Sequence, residues 1–172
     1  MYASLLALAF AFADEPAKVA EGKPAPDFTL TAATANGSKE VHLKDLKGKN
    51  VVLFFYPKAM TSGCTKESCA FSNLLKKFEE TDTIVYGIST DKVDAQTKFI
   101  EKEKLGIPLL ADPEQKVTKE YGSLRPTGGL ANRDTFVIDK EGNVKKIYRG
   151  VKNAGDHPEE VLKYVQENLG KK

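Results

Sequence analysis

Hydrophobic positions follow two rhythms around one stretch of the chain. From Val51 through Val52, Leu53, Phe54, Phe55 and Tyr56 every residue is apolar or aromatic. Such a run, rich in β-branched and aromatic side chains, predicts a strand buried on both faces and stopped by Pro57. Past Thr61-Ser62-Gly63 the rhythm changes. Ala70, Phe71, Leu74, Leu75 and Phe78 recur at helical spacing, so Cys64 and Cys69 fall in the first turns of an amphipathic helix.

The same reading extends in both directions. Asp27-Phe28-Thr29-Leu30 and Val41-His42-Leu43 flank an Asn36-Gly37 turn and suggest an N-terminal hairpin. Thr83 to Ser89 reads as a second core strand, Val93 to Leu105 as a charged helix ended by Gly106, and Pro108 to Ala111 as a short edge-like strand. A helix is expected from Pro113 to Tyr121, with proline in its first turn. Thr135–Asp139 and Val144–Tyr148 flank a Gly142-Asn143 turn, and Pro158 to Leu169 closes the chain as a helix. Strands alternating with helices imply a mostly parallel sheet, with a late antiparallel hairpin at its edge. That is the layout of a thioredoxin-like α/β fold, with a central mixed sheet, helices on both faces and an N-terminal β-hairpin.

Composition narrows the picture. A chain of 172 residues, 41% hydrophobic and 29% charged, suits one globular domain, here residues 14–172. The net charge of +2 is spread along the chain, so no footprint for nucleic acid is seen. Residues 1–13 carry no charge and end in Ala11-Phe12-Ala13 before Asp14, a pattern expected of a cleaved export signal directing the protein to the periplasm. If that segment is not a functional signal, a cytoplasmic location is expected. It is too short to span a bilayer, which takes about 20 apolar residues, so no membrane association is expected. His42 and His157 lie far apart, and the cysteines are not at zinc-knuckle spacing, so neither metal nor cofactor is expected.

The chemistry therefore concentrates on the cysteines. Cys64 sits at a helix N-terminus, where unpaired N–H groups and the positive end of the helix dipole favour an anion such as a thiolate. Five residues along one helix place two Cα atoms roughly 8 to 9 Å apart, beyond the roughly 7 Å a disulfide bridges. Bond and helix exclude each other. The pair reads as a redox switch in preference to a static bridge.

Pro57-x3-Thr61-x2-Cys64, with Phe54-Phe55-Tyr56 before it and Cys69 five positions after, resembles the peroxiredoxin active-site motif in its peroxiredoxin Q, or bacterioferritin-comigratory, form. Further matches are Gly22-x-Pro24-Ala25-Pro26-Asp27-Phe28, Leu109 to Pro113, Tyr121-Gly122 and Arg133 to Asp139. The chain departs from that pattern at Ala59, Met60 and Ser62, where an acidic residue, an aromatic and a proline are usual.

The resemblance implies a thiol peroxidase of the atypical two-cysteine type, reducing hydrogen peroxide and small organic hydroperoxides. Cys64 would be the peroxidatic and Cys69 the resolving cysteine. Thr61, Pro57 and Arg133 would complete the pocket, with the N–H groups of Gly63 and Cys64 facing the peroxide. A thioredoxin or glutaredoxin-like dithiol protein would reduce the resulting disulfide, and the family suggests a monomer. Thr61 could instead cap the helix, Glu67 reads as a first-turn residue favoured by the dipole, and Arg125 is set aside as the competitor of Arg133. The other readings are a non-catalytic thioredoxin-like binding or chaperone module with a static disulfide, and a disulfide oxidoreductase.

Overall fold

The computed structural model describes residues 19–170; the export segment expected over residues 1–13 lies outside them. Seven strands form one mixed sheet in the order β2-β1-β5-β4-β3-β6-β7. β1 (Thr29–Thr34) and β2 (Gly37–His42) are the expected antiparallel hairpin, with Gly37 at a φ of +118° that a side chain would oppose. β3 (Asn50–Phe55) runs parallel to β4 (Thr83–Ser89) and antiparallel to β6 (Asp134–Ile138). β5 (Leu109–Ala111) lies beyond β4, and β7 (Val144–Tyr148) closes the far edge against β6.

Every residue of β3 is buried, because alternate side chains feed two cores. Val52, Phe54 and Tyr56 pack with Phe71, Phe78, Phe99, Val161 and Val165. Those partners come from α1 (Ser62–Asn73), α2 (Leu75–Glu79), α3 (Val93–Glu103) and α5 (His157–Asn168). Val51, Leu53 and Phe55 pack on the other face with Phe28, Tyr121, Phe136 and Val117, the last from the short helix α4 (Lys116–Glu120). At about 2 kcal/mol of gross burial energy per large apolar side chain, β3 is a rigid base for whatever follows it.

The expected pattern changes in several places. Among the described residues only β3–β4 and β4–β5 pair in parallel; the hairpins, β1–β5 and β3–β6 are antiparallel, so the sheet is mixed and not mostly parallel. Leu109–Ala111 is no edge strand: the N-terminal hairpin docks on it through β1, leaving all three residues buried between two neighbours. The helix expected from Pro113 is confined to Lys116–Glu120. There the Asp112 carboxylate accepts the Thr118 N–H and hydroxyl, each at 2.7 Å, and Gln115 takes a left-handed φ of +62° just ahead of the helix. The cysteine helix breaks at Leu74 between α1 and α2, and α3 ends at Glu103 on a left-handed Lys104.

Candidate active site

The site is built where β3 leaves the sheet. Tyr56 continues the ladder by donating its N–H to Ile88 O at 3.0 Å, and half-buried Pro57 then turns the chain out. The loop that follows is held at both ends. The Ala59 N–H donates to Asp91 Oδ2 at 2.8 Å, and the Thr61 hydroxyl donates to Lys58 O at 2.8 Å. Between them Met60 stands in the left-handed region at φ +63°, a conformation that costs a residue with a side chain about 1 kcal/mol. Thr61 is the N-cap residue of α1, but its hydroxyl makes no capping bond because it turns back to Lys58.

Cys64 is the third residue of α1 and only 1% exposed. Arg133 immediately precedes β6, and since Phe55 pairs with Asp134, sheet order brings it beside the end of β3. Its Nη2 donates to Cys64 Sγ at 3.5 Å, while Nη1 donates to Glu67 Oε2. Burial would lower the guanidinium pKa, but Glu67 and Cys64 more than offset it and hold the charge firmly. Gly63 leaves the space that Arg133 fills: a Cβ there would lie 2.9 Å from Nη2. The predicted residues Gly63, Cys64 and Arg133 are thus brought together, with Thr61 at the mouth of the helix.

The structure corrects the expectation that Glu67 is a first-turn residue favoured by the dipole. It lies one turn beyond Cys64 on the buried face of α1, with no solvent exposure. One oxygen meets Arg133; the other, Oε1, is buried without a hydrogen-bond partner. Burial pushes its carboxyl up to about 7, against the pull of Arg133. The signal was available, since Cys64, Glu67, Ser68 and Phe71 share the inward-facing stripe. Asp91 carried no such signal and was missed.

Cys69 is half-buried in the same helix and packs on the helical side of the core. Burial and the nearby Glu103 push its thiol pKa up. Both cysteines are free thiols. Arg125 is exposed, its backbone N–H closing a turn onto Leu130 O. Among the described residues no group of His, Cys, Asp and Glu could hold a metal ion, and no helix is long and apolar enough to cross a membrane.

A buried cysteine at a helix N-terminus, set against a guanidinium at the end of a central strand, defines a thiol-chemistry enzyme on a thioredoxin-like sheet. Residues 21–147 match the AhpC/TSA family. Chloroplastic peroxiredoxin Q of Gentiana triflora is 39% identical over 151 residues, covering 87% of this chain and 68% of that protein. The crystal structure of peroxidoxin BcpB from Mycobacterium tuberculosis superposes with a TM-score of 0.78 at 36% identity, over 87% of this chain and 98% of that one. Bacterioferritin comigratory protein from Xanthomonas campestris, studied for alkyl peroxide reduction, gives a TM-score of 0.74 at 27% identity, over 81% and 92% of the two chains. The chain belongs to the AhpC/TSA family: it is a peroxiredoxin, a thiol peroxidase.

Proposed function

We propose that Cys64 is the peroxidatic cysteine and that the enzyme reduces hydrogen peroxide and small organic hydroperoxides. The contact of Arg133 with both Cys64 Sγ and Glu67 carries this reading. The thiolate sulfur attacks one peroxide oxygen; the O–O bond breaks, and its electron pair leaves on the second oxygen, which takes a proton to become water or an alcohol. Arg133 offers fixed donors to the sulfur and to the charge spreading over the O–O bond, and the first-turn N–H groups of Gly63 and Cys64 face the same region. The Thr61 hydrogen is spent on Lys58 O, which leaves the hydroxyl oxygen to accept from the peroxide O–H. Pro57 shields the sulfur from water at the strand exit. The alkyl peroxide activity named for the Xanthomonas relative supports organic substrates.

Cys64 is left as a sulfenic acid. Cys69 then loses its proton and attacks Cys64 Sγ: the S–S bond of an intramolecular disulfide forms as the S–O bond breaks, and the departing hydroxide takes up that proton and leaves as water. Because one helix holds the two residues, the first turns of α1 unwind for this step. A thioredoxin or glutaredoxin-like dithiol protein returns both thiols. The uncharged segment over residues 1–13 supports export to the periplasm. Stopped-flow oxidation by hydrogen peroxide tests the assignment: Cys64→Ser abolishes a fast reaction, whereas Cys69→Ser keeps one turnover and accumulates the sulfenic acid. A Cys64→Ser protein that still reacts fast sinks it.

A further inference from the structure

The loop between β3 and α1 is held by a polar chain that runs into the interior of the molecule. Asp91, in the turn between β4 and α3, accepts two bonds on one oxygen: Oδ2 takes the Ala59 N–H at 2.8 Å and the Ser89 hydroxyl at 2.8 Å. Ser89 Oγ in turn accepts from Gln96 Nε2 of α3 at 3.1 Å, and the same nitrogen donates to Leu110 O of β5 at 2.7 Å and lies 3.4 Å from Tyr56 Oη. Ser89 and Gln96 have no solvent exposure, and Tyr56 lies fully buried beside them. The anchor is therefore two strands and a helix, and the far end of the chain is one N–H in the loop before Cys64.

That N–H matters because of what lies between it and the sulfur. Ala59 is 6% exposed and packs in the same core cluster as Cys64. Met60 follows in its left-handed conformation, then Thr61, the N-cap of α1. Without the carboxylate oxygen the Ala59 N–H is buried unpaired, and nothing on that side opposes relaxation of Met60 to the extended region that side chains prefer. The first turn of α1 then shifts, and with it Cys64 against Arg133. A misplacement of about 1 Å between reacting groups costs on the order of 10²-fold in rate.

We propose that Asp91 is a positioning residue for the peroxide reaction, holding the Ala59–Thr61 turn so that Cys64 meets Arg133. The assignment rests on Cys64 being the reacting thiol. It acts through acceptor geometry and not through charge, since one oxygen receives both bonds and an amide oxygen can take its place.

The test uses the full chain carrying Cys69→Ser, which isolates the first step, and reads the rate constant with hydrogen peroxide for that parent, Asp91→Ala, Asp91→Asn and Cys64→Ser. Loss of the acceptor, which leaves the Ala59 N–H buried and unpaired, slows Asp91→Ala by about tenfold or more, and Asp91→Asn stays within about threefold of the parent. Asp91→Ala reacting as fast as the parent overturns the assignment. So does Asp91→Asn falling as far as Asp91→Ala, because a general loss of packing or of charge would do that. If Asp91→Ala does not fold, Ser89→Ala, which releases the carboxylate, is measured instead: a fall of about fivefold supports the assignment and an unchanged rate overturns it. The Cys64→Ser lane separates the two levels. If it is fast, the underlying reading fails and takes Asp91 with it; if it is dead beside a fast parent, the Asp91 comparison stands on its own.

Discussion

Two arginine–carboxylate pairs meet at the start of β6, and they differ in what they leave undone. Asp134 is saturated. Its Oδ2 takes the Ser123 hydroxyl and Arg149 Nη1, both at 2.8 Å, and its Oδ1 takes the Gly150 N–H at 2.8 Å. Arg149 also donates to Tyr121 O at 3.0 Å and to Gly122 O at 3.2 Å, and lies over the Phe136 ring. One residue earlier the chain points to the other core. There Glu67 keeps one oxygen unpaired, and Arg133 spends its second nitrogen on a sulfur 3.5 Å away. A saturated pair ties elements together; an unsaturated one holds valency for a reacting group and keeps a buried charge incompletely matched.

The contrast breaks most sharply at Arg133. Arg133→Met removes the donor to the sulfur and to the breaking O–O bond, so the peroxide rate constant falls on the order of 10³-fold, equivalent to about 4 kcal/mol of transition-state stabilisation, by stopped-flow. Melting temperature also falls, because removing one partner leaves the Glu67 carboxyl buried without its cation, a cost held down by its taking up a proton. An unfolded variant, or one that keeps its rate, ends the distinction between the two pairs.

Asp134→Ala shows the opposite balance. It strips three bonds from the junction of β6 with the loops after Tyr121 and Tyr148 and costs about 2 kcal/mol in urea unfolding, moderated because Arg149 is 43% exposed and can turn to water. Its peroxide rate falls far less than that of Arg133→Met. A rate loss of equal size would mean that both pairs serve the chemistry.

The third effect is a slope with pH. In the folded protein burial raises the Glu67 carboxyl above the ordinary carboxylate range to about 7, so the native state binds more protons than the unfolded chain between those values. The stability this adds is complete below the unfolded-state pKa and is lost as pH rises through about 7. Wild type should therefore lose roughly 2 kcal/mol relative to Glu67→Gln between pH 5 and pH 8. Parallel unfolding curves across that range would show that Glu67 stays ionised and that the two pairs are electrostatically alike.

Local rhythm made much of the molecule legible. The all-apolar run of β3, the amphipathic helix behind it and the Asn-Gly turn of the first hairpin each follow from side-chain period and turn chemistry within a few residues, and together they place Cys64 at a helix N-terminus at the end of a central strand. Arg133 was named from its motif context, and β6 delivered it. Where local period gave no purchase, the reading failed: Leu109–Ala111 has the same apolar sequence at an edge or in the middle, and only the docking of β1 decided between them.

The partners of the site belong to the same class. Glu67 and Arg133 are 66 positions apart and Ala59 and Asp91 are 32 apart. Strand β3, the cysteine at the start of α1 and the first hairpin could be read along the chain, because each depends on contacts within a turn or a strand. Tertiary structure alone decided which carboxylate faces which guanidinium and which N–H the Asp91 oxygen receives. Those pairings depend on strand order and on how two cores close around β3, a global solution to burying apolar surface that no short window of residues contains.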